Sequence, residues 1–278
     1  MSAPTPLLDF FKRGEVARDV RLLAAEGTLA PRPQEQLSIL MLLLSDADPQ
    51  IRGAANDTLN RIPPQAVAAF LARAEVPGEL RAFFASRGIL PADIAAEDAE
   101  TPLIDTEAPA GAPDSAAAPA AVPEEETEEN RESVLQQLAT MTFPERLKAA
   151  MKGSREFRSI LIRDPNKMIA AAVLSSPRLT QSELEAIARN AGVSEDVLRI
   201  IAHNRAWTKN YKVALGLTKN PKTPLAVSMN LLSRLNDRDV TMLAVDRNVP
   251  EPLRVAARKK AEGGAGHRDF FALAFRAQ

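Results

Sequence analysis

Three arginines recur at a spacing of 42 residues: Arg163, Arg205 and Arg247. Each opens a polar turn, Arg163-Asp164-Pro165-Asn166, Arg205-Ala206-Trp207-Thr208 and Arg247-Asn248-Val249-Pro250. Guanidinium is a permanent cation with a planar fork of donors, suited to carboxylates and phosphates. Other cations keep the same rhythm. Lys167 corresponds to Lys209 and Arg178 to Lys222, with Lys212 and Lys219 close by. The only Trp and the only Tyr, Trp207 and Tyr211, fall inside the run Arg205–Lys212. Aromatic rings interleaved with cations stack on bases or anchor peptides. The chemistry on offer is recognition of an anionic partner. Each feature also has a structural alternative. The arginines cap helices or pair with Asp164 and Asp246, and Trp207, Tyr211, Ala214 and Leu215 form one stripe of a helix facing the core.

Catalytic sets do not assemble. His203 and His267 stand far apart in sequence, and no His, Asp and Glu cluster has metal-ligand spacing. There is no Gly-rich phosphate loop and no nucleophile elbow. The run Glu124–Glu129 is a solvated stretch rather than an acid/base pair. Cysteine is absent, which excludes disulfides, thiolate metal sites and iron–sulfur clusters. No enzyme and no cofactor is expected.

The charge is distributed in blocks. Residues 1–90 carry 10 basic and 10 acidic side chains, residues 91–130 none and 12, and residues 131–278 carry 25 and 14. A net −12 stretch therefore adjoins a net +11 stretch, a pattern of an interaction tail beside a charged binding domain. Residues 91–130 are rich in Pro, Ala and acids and lack apolar periodicity. They are expected to be a disordered linker with an end-to-end distance of roughly 35 Å. Its acidic end is placed to mask the basic stretch that follows.

Helical signals fill the rest. Leu37, Leu40, Met41 and Leu44 recur at helical spacing, and Asp48-Pro49 is an N-cap followed by proline at the first helical position. Thr180-Gln181-Ser182-Glu183 is a capping-box pattern. Ser194 is expected to cap a helix from Val197, one helix is expected over Trp207–Leu217, and Thr223-Pro224 opens another. Ser176-Pro177-Arg178 reappears as Asn220-Pro221-Lys222, 44 residues on. A period of this size marks a helical solenoid, whose units bury their apolar faces by stacking.

Leu43-Leu44-Ser45-Asp46-Ala47-Asp48-Pro49-Gln50-Ile51-Arg52, followed by Ala55 and Leu59, resembles the turn and second helix of HEAT repeats. In that family the turn aspartate and the following arginine form ladders between units, and Asp46 and Arg52 match those positions. Asn220-Pro221-Lys222-Thr223-Pro224-Leu225 and Asn248-Val249-Pro250-Glu251-Pro252-Leu253 look like turns of leucine-rich-repeat-variant proteins, which stack short helices into a right-handed solenoid. That likeness covers about 100 residues. The iron–sulfur module known in that family has no counterpart in a chain without cysteine.

The expected fold is all-α: two short helical-repeat, HEAT-like α-solenoid domains at 1–90 and 131–262, joined by the acidic linker 91–130. Residues 263–278 are expected to form a Gly hinge and a terminal amphipathic helix bearing Phe270, Phe271 and Phe275, which caps the last repeat or docks on another protein. The expected function is a non-catalytic interaction scaffold. Its partner surface would comprise Arg163, Lys167, Arg205, Trp207, Lys209, Tyr211, Lys212, Lys222 and Arg247. The partner would be an acidic protein, with nucleic acid as the alternative for the same groove. The N-terminus has no signal-peptide pattern and the longest apolar run, Ile39–Leu44, is too short to span a bilayer, so a cytoplasmic location is expected.

Overall fold

A computed structural model describes residues 5–93, 101–106 and 128–262, with side chains from 132 onward in the last stretch. Among the described residues the protein is all-helical, with 17 helices and no strand. It divides into two compact units, Met1–Leu179 and Thr180–Gln278. The expected hinge and terminal helix at 263–278 lie outside the described residues.

The first unit holds α1 (Leu8–Arg13), α2 (Arg18–Ala25), α3 (Pro33–Leu43), α4 (Pro49–Arg61), α5 (Pro64–Leu71), α6 (Gly78–Ser86), α7 (Glu128–Thr140), α8 (Phe143–Lys152), α9 (Arg155–Leu161) and α10 (Lys167–Ser175). Two of these helices are buried almost all round. In α10, every residue from Met168 to Ser175 is buried, as its apolar sequence requires. In α3 the burial extends to Gln34, Glu35, Gln36 and Ser38. Buried polar groups need partners. Ser38 donates to Gln34 O at 2.8 Å, and Leu8 N–H donates to Glu35 Oε1 at 2.9 Å. Arg32, just before α3, donates to Leu174 O at the end of α10 at 2.6 Å. A buried polar tie thus joins two helices about 140 residues apart in sequence.

One turn design occurs twice in this unit. Before α4, Asp46 Oδ1 accepts the Asp48 N–H (2.9 Å) and Asp48 Oδ1 accepts the Gln50 N–H (2.8 Å), while Asp46 Oδ2 pairs with Arg21 at 2.9 Å. Before α10, Asp164 Oδ1 accepts the Asn166 N–H (2.8 Å) and Asn166 Oδ1 accepts the Met168 N–H (2.9 Å), while Asp164 Oδ2 pairs with Arg146 at 3.1 Å. Two successive Asx turns end one helix and cap the next. The arginine from an earlier helix anchors the turn. The residues that resemble a HEAT ladder are used within this device: Arg52 Nη1 donates to the carbonyls of Asp46 (2.7 Å) and Ala47 (2.9 Å), in its own turn.

Residues 101–106, inside the stretch expected to be a linker, pack on the first unit. Leu103 and Ile104 are half-buried and supply apolar surface that the neighbouring Ala, Pro and acid residues lack. The boundary between compact units falls at Leu179/Thr180 rather than within 91–130.

The second unit holds α11 (Gln181–Arg189), α12 (Glu195–His203), α13 (Arg205–Thr208), α14 (Tyr211–Lys219), α15 (Leu225–Leu232), α16 (Asp237–Val245) and α17 (251–262). The capping box at Thr180 and Glu183 is present, and Ser194 Oγ accepts the Val197 N–H at 3.5 Å. Two expectations need correction. The helix expected over Trp207–Leu217 is broken at Lys209-Asn210, because Asn210 Oδ1 accepts the Lys212 N–H (2.7 Å) and starts α14 afresh. Trp207 and Tyr211 therefore do not share one helical stripe. Thr223 does not cap α15: Pro224 is the N-cap, and Thr223 Oγ1 is buried without a hydrogen-bond partner.

The echo between Ser176 and Asn220 has a physical meaning. Each follows a helix, α10 or α14, and accepts an N–H two residues on: Arg178 N–H to Ser176 Oγ (3.3 Å), Lys222 N–H to Asn220 Oδ1 (3.0 Å). Each also donates to the C-terminal carbonyls of an earlier helix. Ser176 bonds Met151 O of α8 (2.6 Å), and Asn220 bonds Ala188 O of α11 (3.0 Å) and Asn190 O (3.1 Å).

Candidate interaction surface

In the second unit, α12 ends at His203 and the chain turns through Asn204, whose Oδ1 accepts the Ala206 N–H at 2.9 Å. That turn lifts Arg205 to the surface. α13 runs for one turn and holds Trp207 half-buried, and the Lys209-Asn210 break then exposes Lys209, Tyr211 and Lys212. The cluster Arg205–Lys212 is thus positioned by two asparagine turns.

The start of α14 is fixed from two sides. Asn210 Nδ2 donates to Glu185 Oε1 of α11 at 2.8 Å, and Lys212 Nζ lies 3.7 Å from Glu185 Oε2. On the other side, Tyr211 donates its hydroxyl proton to Asp239 Oδ2 of α16 and accepts the Asn236 N–H at 3.3 Å. Burial first, and the bond to Asp239 next, push the Tyr211 phenol above the ordinary tyrosine range. Tyr211 is exposed, but its polar end is committed to holding α14 against α16.

The cations differ in how they are used. Arg205, Lys209, Lys222 and Arg247 are exposed and make no side-chain bond among the described residues. Lys222 follows the C-terminus of α14, the end opposite the Arg205–Lys212 cluster. Arg163 and Lys167 belong to the first unit. Arg163 is exposed and reaches only Ser159 O, through Nε and Nη2, both at 3.3 Å. The pairing of Arg163 with Asp164, one sequence alternative, does not occur, because Asp164 is taken by Arg146. Arg163 stands instead at the rim of an open, largely apolar groove of about 510 Å³ walled by Leu135, Leu138, Ile160 and Leu161.

Over 180–262 the second unit carries 14 basic against 9 acidic side chains, net +5. Most of those acids are engaged within the unit. Glu183 completes the capping box, Glu185 holds Asn210, Glu195 pairs with Arg199 at 2.5 Å, Asp239 takes Tyr211, and Glu251 pairs with Arg254. Asp246 accepts the Asn248 N–H at 2.9 Å, so it is turned into its own backbone rather than towards Arg247. Positive charge is left outward.

Sequence reasoning missed Asp239 and Asn236 as the grip on Tyr211, since no pattern in sequence links positions 28 residues apart. It also missed Gln36 and Lys152, whose role depends on a fold contact described below. Among the described residues no three His, Asp or Glu side chains form a metal-binding group, and no helix is long and apolar enough to cross a membrane. No protein-family model, no curated protein and no solved structure matches this chain.

Proposed function

We propose that this protein is a non-catalytic interaction scaffold that holds an acidic protein partner on a basic helical-repeat surface. The observation that carries the reading is the set of exposed cations Arg205, Lys209, Lys222 and Arg247, which have no side-chain partner among the described residues, in a unit whose described acids are mostly engaged. Desolvating an already paired cation gains little, whereas an unpaired exposed cation has its full interaction to offer an incoming carboxylate.

The repeat character supports the same reading. Arg163, Arg205 and Arg247 each stand two residues beyond the end of a helix, α9 (Leu161), α12 (His203) and α16 (Val245). With the matching roles of Ser176 and Asn220, this suits repeated blocks of HEAT-like or leucine-rich-repeat-variant type, α8–α10 in the first unit and α11–α14 and α15–α17 in the second.

The test uses the full-length chain as bait, wild type against the variant Arg205→Glu/Lys209→Glu/Lys222→Glu/Arg247→Glu. Lysate is presented with and without nuclease treatment. An acidic protein retained by the wild type in both arms and lost by the variant supports the scaffold. Retention that disappears on nuclease treatment, with affinity falling steeply as salt rises, moves the assignment to nucleic acid through the same cations. Equal retention by wild type and a folded variant removes the surface from consideration.

A further inference from the structure

The segment Thr101–Thr106 is held against the first unit chiefly through its backbone. Gln36 Oε1 accepts the N–H groups of Leu103 (2.9 Å) and Ile104 (3.2 Å), and Gln36 Nε2 donates to Ile104 O (2.5 Å). One side-chain amide thus reads both backbone polar groups of Ile104, much as a neighbouring strand does when a peptide adds to a sheet edge. Gln36 is itself buried on α3 with the segment in place. The Thr106 N–H adds a bond to Gly27 O at 3.5 Å.

Side chains contribute selectivity. Gly27 has φ +78°, and a Cβ there would come within 3.1 Å of Thr58 Cγ2 and 3.4 Å of Ile104 Cγ2. Thr58 is thus the tight neighbour, the isoleucine methyl packs at ordinary contact distance, and the positive φ there favours glycine. Asp105 Oδ1 lies 2.6 Å from Lys152 Nζ at the end of α8. Leu103 and Ile104 are only half-buried, so the segment can leave without opening the core.

We propose that the surface made by Gly27, Gln36 and Lys152 is a peptide-docking site, filled here by the chain's own Leu103-Ile104-Asp105, that accepts an extended partner segment of two aliphatic residues followed by a carboxylate. Backbone reading makes the seat tolerant of a substitute. The isoleucine seat and the lysine set what the substitute must carry.

A fluorescent peptide of residues 99–108 provides the probe, with binding to the full-length chain followed by anisotropy. Wild type is compared with Leu103→Asp/Ile104→Asp, which releases the resident segment. A tethered competitor acts at roughly millimolar effective concentration, so the released chain binds the peptide at least ~10-fold more tightly than wild type. Adding Gln36→Ala to the released chain reverses that gain. Adding Lys152→Glu also reverses it, and a peptide carrying Asp105→Lys restores binding to that variant, which a misfolded chain does not do. Absence of binding by the released chain, affinity equal to wild type, binding indifferent to Gln36→Ala, or failure of the charge swap overturns the proposal.

Discussion

Glu35 gives the sharpest prediction about stability. Its side chain is fully buried on α3, and burial drives its pKa from 4.5 up to about 7. The groups facing it are few. Leu7 and Leu8 offer backbone N–H groups, Arg32 offers a nearby charge, and α10 contributes only Ser175. Glu35 Oε2 and Ser175 Oγ both lack a partner in hydrogen-bond geometry. A proton on Glu35 removes the cost of a buried charge, which outweighs the nearby Ser175 hydroxyl, the Leu7 and Leu8 N–H groups and the Arg32 charge, all of which favour the carboxylate. Because the folded pKa is raised, the folded state holds this proton more tightly than the unfolded state. The stabilisation is complete below about pH 4.5 and is lost as pH rises through about 7. At about 1.4 kcal/mol per pH unit, the window from 4.5 to 7 corresponds to a loss of ~3 kcal/mol. Glu35→Gln keeps the shape, keeps an acceptor for Leu8 and supplies a donor without titrating. Urea unfolding by far-UV circular dichroism, repeated from pH 4.5 to 8.5, is the assay. The variant should match wild type near pH 4.5 and exceed it by ~3 kcal/mol above pH 8. Other carboxylates cancel in the difference. The only tryptophan, Trp207, lies in the second unit, so its emission reports on that unit. Parallel stability curves for wild type and Glu35→Gln across the whole range would refute the reasoning.

Other perturbations follow from single contacts. Asn220→Ala deletes two donor bonds and one turn acceptor, and should cost about 2–3 kcal/mol in urea unfolding followed by Trp207 emission; Asn220→Asp, which keeps the turn acceptor but sets a carboxylate oxygen against two carbonyls, should recover none of that loss. Asp164→Ala removes both the turn and the partner of Arg146, and should lower the stability of the first unit by about 2 kcal/mol, measured as the change in urea midpoint by circular dichroism. Thr180→Ala should cost ~1 kcal/mol through loss of the capping box, seen in the same Trp207-detected transition. A phenolate absorbance titration should find Tyr211, the only tyrosine, ionising above free tyrosine in the folded chain and normally in urea.

Local signals in the sequence read well because they act through near neighbours. Asp48, Thr180 and Ser194 cap the helices that they precede, and α10 is buried as its Met-Ile-Ala-Ala-Ala-Val-Leu run requires. The failures share a cause as well. The break at Lys209-Asn210 was hidden because Trp207, Tyr211 and Ala214 keep helical spacing across it; the choice between continuing and restarting the helix was made by the Asn210 side chain. The first turn of α3, Gln34-Glu35-Gln36, reads as a solvent face. It is buried because Leu8 and residues 103–104 reach it from distant parts of the chain, and Arg32 just before it is tied to Leu174. A single sequence carries no local trace of such partners. Composition misled at 101–106 for the same reason: averaged over forty residues, two aliphatic side chains vanish, yet Leu103 and Ile104 suffice to seat the segment.

The double Asx turn explains why the most motif-like acids are poor candidates for binding. Asp46 and Asp164 spend one carboxylate oxygen on a backbone N–H and the other on Arg21 or Arg146. Each is nearly enclosed, so releasing it for a ligand would break the turn and strand the arginine. Arg52, the other residue of the HEAT resemblance, is spent on the carbonyls of Asp46 and Ala47. The residues left outside this bookkeeping are the ones two positions after α9, α12 and α16. Arg205 and Arg247 stand beside turns that Asn204 and Asp246 close, and the only bond of the Arg163 guanidinium is an exposed one to Ser159 O, so these groups contribute little to holding the fold. Their replacement should therefore change binding while leaving unfolding midpoints nearly unmoved, the combination that separates a recognition residue from a structural one.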